Sequence, residues 1–281
     1  MNLKMYNKLI GAKMWRKFSF LILVISFILV NILHAQDEKL DSLDFSIESA
    51  PGEMQSTPYF AIAGGYTGTF IFLNFDNLNK HLSDNGFGFA TDAFKKPLYM
   101  SGAQGFTAIG IIPNLRVGFF GMGGSSIAEM NTTIDSVACK RSFNYSVSFN
   151  GLNIDYAIVP WKSVAFIPGV SFGWGSLTME SYQNQTGDNS WIDLKPNANA
   201  INYFNRAKAT YSFIQPNLNV EFAVTTFFGL RLSAGYMWTF SFTGDYGWQY
   251  NNTSKLVDVP KSINASGLTL QFGLFMGLFN Y

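Results

Sequence analysis

Residues 230–241 read LRLSAGYMWTFS. Leu230, Leu232, Ala234, Tyr236, Trp238 and Phe240 occupy the even positions, and Arg231, Ser233, Gly235, Met237, Thr239 and Ser241 the odd ones. A period of two marks a β-strand with two unlike faces, because successive side chains of a strand point to opposite sides. The pattern recurs along the chain. Leu218, Val220, Phe222 and Val224 alternate with Asn217, Asn219 and Glu221, and Val164, Phe166, Val170, Phe172 and Trp174 with Ala165, Gly169, Ser171 and Gly173. Leu268, Leu270, Phe272, Leu274 and Met276 alternate with Thr269, Gln271 and Gly273. Weaker versions fill 58–72, 98–110, 115–122 and 143–158. In the last, the apolar set passes from odd (Tyr145, Val147, Phe149) to even (Leu152, Ile154, Tyr156). That switch predicts a β-bulge near Asn150 and Gly151, since one extra residue flips every later side chain to the other face.

Composition says what such strands face. Of 281 residues, 48% are hydrophobic, 17% aromatic and only 13% charged, against about 25% charged in an average soluble domain. Disorder is excluded, because it requires low hydrophobicity and high charge. A net charge of +1 speaks against a strongly basic nucleic-acid binder. The single cysteine cannot form an internal disulfide, and no CxxC or Cys/His cluster points to a metal or cofactor. Each strand is about ten residues long, the length a tilted strand needs to cross a bilayer.

The connections decide the architecture. Three are short: Ile112-Pro113-Asn114, Pro160-Trp161-Lys162-Ser163 and 225–228. Four are long and polar: 73–96, 123–142, 182–208 and 242–265. Short and long alternate strictly, the sidedness of a transmembrane barrel with tight periplasmic turns and long outer loops. Closure follows, because an open sheet edge would leave backbone groups unpaired in hydrocarbon. The reading is an all-β, eight-stranded antiparallel up-and-down transmembrane barrel over 58–281.

Residues 1–17 hold five basic residues and no acid, and 18–33 are almost wholly apolar, with Ala35 at a plausible cleavage point. We read 1–35 as a cleaved signal peptide and 36–57, rich in Asp and Glu, as a flexible acidic periplasmic tail. Cleavage would leave 14 basic against 18 acidic residues. The location implied is the bacterial outer membrane.

The barrel segment resembles the small bacterial outer-membrane β-barrels of the OmpA-transmembrane, OmpX, OmpW and PorT-like kind. Its last strand ends Phe279-Asn280-Tyr281, which resembles that group's C-terminal assembly signal. The resemblance implies outer-membrane lipid around the barrel, the barrel assembly machinery as a partner during biogenesis, and an extracellular or envelope protein partner for the loops. It does not choose among adhesins, small-solute channels, assembly factors and a few enzymes.

Candidate residues fall into three groups. Arg116, Asp155, Glu221, Arg231 and Gln271 lie on the small or polar faces near the periplasmic strand ends and are expected to point inward, closing a polar core or lining a solute path. Phe75, Leu78 and Leu82 share one face of a short helix expected over 76–84, a lid over the mouth or a helix packed on neighbouring loops. Tyr66, Trp174, Tyr236 and Trp238 toward the long loops, with Tyr156 and Trp161 toward the short turns, form the aromatic girdles of the two membrane interfaces. Catalytic sets are weak. Gly169-Val170-Ser171-Phe172-Gly173 matches a nucleophile-elbow string but sits mid-strand, and His81 is the only histidine after cleavage. A non-enzymatic barrel whose loops bind a partner, lipid or surface is therefore expected, with a narrow channel or carrier for small or apolar solutes as the alternative.

Overall fold

A computed structural model describes residues 59–84, 87–95, 97–187, 201–242 and 246–280. The expected signal peptide and acidic tail lie outside them. In chain order the elements are β1 (Phe60–Leu73), α1 (Asp76–Asp84), β2 (Leu98–Ala108), β3 (Leu115–Ile134), β4 (Val137–Tyr156), β5 (Ile158–Trp161), β6 (Val164–Gln185), β7 (Tyr203–Ala223), β8 (Phe228–Phe240), β9 (Gln249–Tyr250), β10 (Ser254–Lys255) and β11 (Gly267–Asn280).

Eight of the strands close on themselves in the order β1-β2-β3-β4-β6-β7-β8-β11, every pairing antiparallel, and β11 returns to β1. The short β5 borders the inner end of β6, and the β9–β10 hairpin borders the outer end of β7. Stepping between direct partners from Phe222 leads through Leu230, Leu274, Tyr66, Ala103, Gly121, Asn150 and Trp174 to Ser212. The circuit re-enters β7 ten residues from where it left (222 to 212). A shear of that size on eight strands corresponds to a tilt of about 40°, within the usual barrel range.

Several of the expected strands run well past their sequence bounds. The connection 123–142 is long but is strand rather than loop: β3 and β4 continue in unbroken register up to the pair Ile134↔Val137. Asp135 and Ser136 close the hairpin at φ 49° and 66°, the two positive φ values of a type I′ turn, whose twist matches the flanking strands. Likewise β6 and β7 pair as far as Gln183↔Tyr203, into the expected third loop.

The expected bulge at Asn150 and Gly151 is absent. Pairing runs straight through, Asn150↔Gly121 and Gly151↔Phe120 on one side, Asn150↔Trp174 and Gly151↔Gly173 on the other. What changes is the surroundings. Odd residues of β4 face inward along its whole length, and so do Tyr145, Val147 and Phe149 as well as Asn153 and Asp155. Toward the short turns the exterior of β4 is apolar (Leu152, Ile154, Tyr156) and the interior polar. Toward the long connections the exterior is polar (Asn144, Ser146, Ser148) and the interior apolar. The inversion repeats on β6, where Trp174 is followed outside by Ser176, Thr178 and Glu180, and on β7, where Ile214 is preceded by Ser212, Thr210 and Lys208. Trp174 pairs with both Asn150 and Ser212, so the switch lies along one line of neighbours. Strand polarity reports what lies on each side. Here it switches from a greasy exterior around a polar lumen to a wet exterior around an apolar core.

That outer core is built on Phe75, Leu78, Leu82, Phe94, Phe143 and Tyr145 with their neighbours. Phe75 and Phe94 meet Tyr145 with ring centroids 5.2 and 6.2 Å apart. At the inner end a separate cluster gathers Ala61, Ala165, Ile167, Phe106, Phe275 and Phe279.

Candidate functional site

The lumen can be followed level by level from its inner end. Direct cross-strand pairing places Arg116 opposite Asp155 and Glu221 opposite Arg231. All four side chains are buried, and they meet across the barrel. Arg116 grips Asp155 with a two-pronged contact, Nε donating at 2.9 Å and Nη2 at 3.2 Å. Its Nη1 donates to both Glu221 oxygens at 3.2 Å and to the Tyr59 hydroxyl at 2.7 Å. Arg231 donates to the same Glu221 through Nε at 3.0 Å and also through Nη2. The Phe106 ring lies 4.3 Å from the guanidinium carbon of each arginine. Arg231 also sits 4.3 Å from the Phe275 ring. Two cations and two anions leave the cluster neutral. Each ion has a charged partner, the condition for charge in a dry interior, and of the six guanidinium nitrogens only Arg231 Nη1 is left without a hydrogen bond.

Gln271 is not part of this cluster. It pairs with Thr69 and Ser233 near the middle of β11, whose inward residues at the inner end are Phe275 and Phe279. Gln271 lines the next level with Gln104, Asn153, Ser171, Gln215 and Asn219. Here the polar side chains satisfy one another: Asn153 donates to Asp155 at 3.0 Å, Asn217 to Ser171 at 3.0 Å, and Gln215 to Thr269 at 2.8 Å. The space left is about 20 Å³, on the order of a single water molecule. Above it Phe120, Phe149 and Phe213 stack in tilted and edge-on pairs 5.5–6.1 Å apart and fill the lumen.

The expected helix is α1. The Asn74 side chain accepts from the Asp76 backbone N–H at 2.9 Å, capping its first turn. Phe75, Leu78 and Leu82 are all buried, and Asn79 exchanges hydrogen bonds with the Phe94 backbone in both directions. These side chains hold α1 in the outer mouth as a packed plug. The fourth connection is tied down as well: Tyr145 donates to the Asn264 carbonyl at 3.1 Å, and burial pushes its phenol pKa well up.

Tyr66, Trp174, Tyr236, Trp238, Tyr156 and Trp161 all project outward, Trp174 and Trp161 with 64% of their surface exposed. Phe279 faces inward against Phe106, so in the folded barrel it packs the lumen; Tyr281 lies outside the described residues. Ser171 and His81 line different cavities, the polar mid-lumen space and a cleft at the outer end. Among the described residues no cluster of three metal-ligating side chains occurs.

Sequence reasoning missed two contributors: it groups Tyr59 with the outward aromatics near the short turns, whereas that ring is buried, and it gives Phe106 no role. Tyr59, just before β1, supplies a hydroxyl to the charge cluster, and Phe106 packs its ring against both arginines. Phe106 lies in β2, whose phase is ambiguous in the sequence, and an inward phenylalanine on a barrel strand carries no signal of its own.

A closed antiparallel ring with a continuous apolar outside, bounded by outward aromatics, is what a bilayer-spanning sheet requires. The fold is that of a small outer-membrane β-barrel. Among solved structures the chain is similar to Ail, the attachment invasion locus protein of Yersinia pestis, at 12% identity over 79% of this chain and 99% of that one, TM-score 0.30. It is similar to a major outer membrane protein from Thermus thermophilus at 10% identity over 78% and 99% of the two chains, TM-score 0.41. It is also similar to the outer membrane protease OmpT from Escherichia coli at 9% identity over 84% and 100%, TM-score 0.30. No protein-family model matches the chain, and no curated protein does.

Proposed function

We propose that this chain is a sealed outer-membrane barrel whose strands, continued beyond the bilayer, carry a rigid binding platform. The single observation behind the sealed lumen is its filling at consecutive levels: the Arg116–Asp155–Glu221–Arg231 cluster, the amide layer, the phenylalanine layer and the α1 plug. The platform is the sheet formed by the outer parts of β3, β4, β6 and β7. One face is polar and open to water. Among the described residues, β3 beyond Gly123 pairs only with β4, which leaves backbone donors and acceptors along 124–134 for an added strand of a protein partner. Lipid contacts the belt below, and the assembly machinery reads the last strand before folding.

In planar bilayers the purified protein is expected to give no stepwise conductance, and liposomes carrying it should not swell in small sugars. Steady conductance steps would overturn the sealed lumen. Removing 127–142 should abolish partner capture from envelope extracts while the heat-modifiable gel shift persists; unchanged capture would overturn the platform.

A further inference from the structure

The outer core is incompletely filled. Between α1, the inward faces of β4, β6 and β7, and the 256–263 segment lies a cleft of about 300 Å³ open to solvent. Leu78, Phe87, Phe143, Met179, Leu256 and Ile263 make up much of its wall. Protein interiors pack closely, and a void this large is at the size where ligand pockets begin.

The polar groups at the cleft are largely spoken for. Tyr250 donates to Asn205, and the Ser181 hydroxyl lies 3.4 Å from that of Tyr203. Arg206 is directed to Glu180 at 3.5 Å, its cross-strand neighbour on the polar outer face of the sheet. The imidazole of His81 stacks on Phe87 with ring centroids 5.7 Å apart. Asp258, exposed to solvent, is the one carboxylate on the wall among the described residues. Most of the surface lining the cleft is nonetheless apolar carbon, which offers ordered water few partners. With Arg206 on the same wall, the lining carries one charge of each sign and no net charge that calls for a charged ligand.

We infer that the cleft binds a small, uncharged, mainly aliphatic molecule, its chain lying among Phe143, Met179 and Ile263 and one hydrogen-bonding head remaining at the mouth. The inference rests on the reading of the outer end as the binding part of a sealed barrel.

The test uses the full chain in lipid nanodiscs and a decanol analogue bearing a photoreactive diazirine, with adducts mapped by mass spectrometry. Adducts are expected on Met179 and within 256–263. Ala207→Trp, which fills the cleft from the β7 wall, should lower that labelling about tenfold. It should leave labelling of the lipid-facing Leu270 and Leu274 and the heat-modifiable band unchanged. Val259→Trp serves where Ala207→Trp fails to fold. Unlabelled decanol should compete better than decanoate. Adducts confined to the lipid-facing belt, cleft labelling indifferent to both tryptophan variants, or decanoate competing as well as decanol would overturn the proposal. Cleft labelling that arises only after deletion of 188–200 would assign the cleft to the chain's own segment and overturn it too. A conducting wild-type barrel with intact cleft labelling would instead refute the sealed lumen alone.

Discussion

Replacing Glu221 by alanine removes the only carboxylate that both arginines share among the described residues. Arg116 would keep its two-pronged contact with Asp155, but Arg231 would lose its charged partner. Arg231 is almost wholly inside the barrel, packed against the rings of Phe106 and Phe275. Breaking a buried pair by deleting one member costs about 3–5 kcal/mol, mostly from the stranded charge. A folded protein's whole margin is typically about 5–15 kcal/mol. The double variant Glu221→Ala with Arg231→Met removes one charge of each sign and leaves the Arg116–Asp155 pair neutral, so most of that loss should return. A coupling of about 2 kcal/mol between the two substitutions is expected. Urea unfolding of the protein in phospholipid vesicles, followed by tryptophan emission and by the heat-modifiable gel band, reads both numbers. A single variant within about 1 kcal/mol of wild type, or a double variant whose cost is the plain sum of the singles, would refute the account of the cluster as a mutually compensating set.

Three further outcomes follow from the backbone and the polarity switch. Gly102→Ala should abolish the folded gel band, because a Cβ there would lie 2.0 Å from the Gly121 carbonyl oxygen, whereas Gly105→Ala meets nothing nearer than 3.7 Å and should fold normally. In a Cys139→Ser background, a water-soluble maleimide should label Ser146→Cys readily and Ile154→Cys barely, since the two share the outer face of β4 on opposite sides of the switch; equal labelling would remove the switch as the membrane boundary. Asp135→Asn with Ser136→Gly, made at the two positive-φ residues of the hairpin turn, should raise the urea midpoint by an amount equivalent to about 0.5–1 kcal/mol.

Much of the candidate site was legible in the chain, for reasons that differ by residue. Arg116, Asp155, Glu221 and Arg231 stood out because each interrupts a face of small residues in a strand whose other face is greasy. A charge in such a strand has one tolerable direction. Gln271 carries the same signal, and its separation from the four came only with register, since tilt and shear set how far along the barrel a position lies. The cleft could not be read at all. Its walls come from α1, three strands and the fourth connection, segments far apart in sequence whose apolar residues look the same whether they fill space or enclose it.

The sequence by itself determined the number of strands, their order as an up-and-down ring and the face each turns outward in the belt. Those depend on a local period of two and on alternating connection lengths, and both survive without knowledge of neighbours. Tertiary structure decided where the barrel stops being a membrane object. At Asn150 and Gly151 the apolar positions change parity with no change in pairing. A bulge and an exchange of surroundings leave the same mark on a sequence. Only the hydrogen-bond ladder and the helix packed inside the mouth separate them, because polarity is set by what each side chain faces rather than by the strand that carries it.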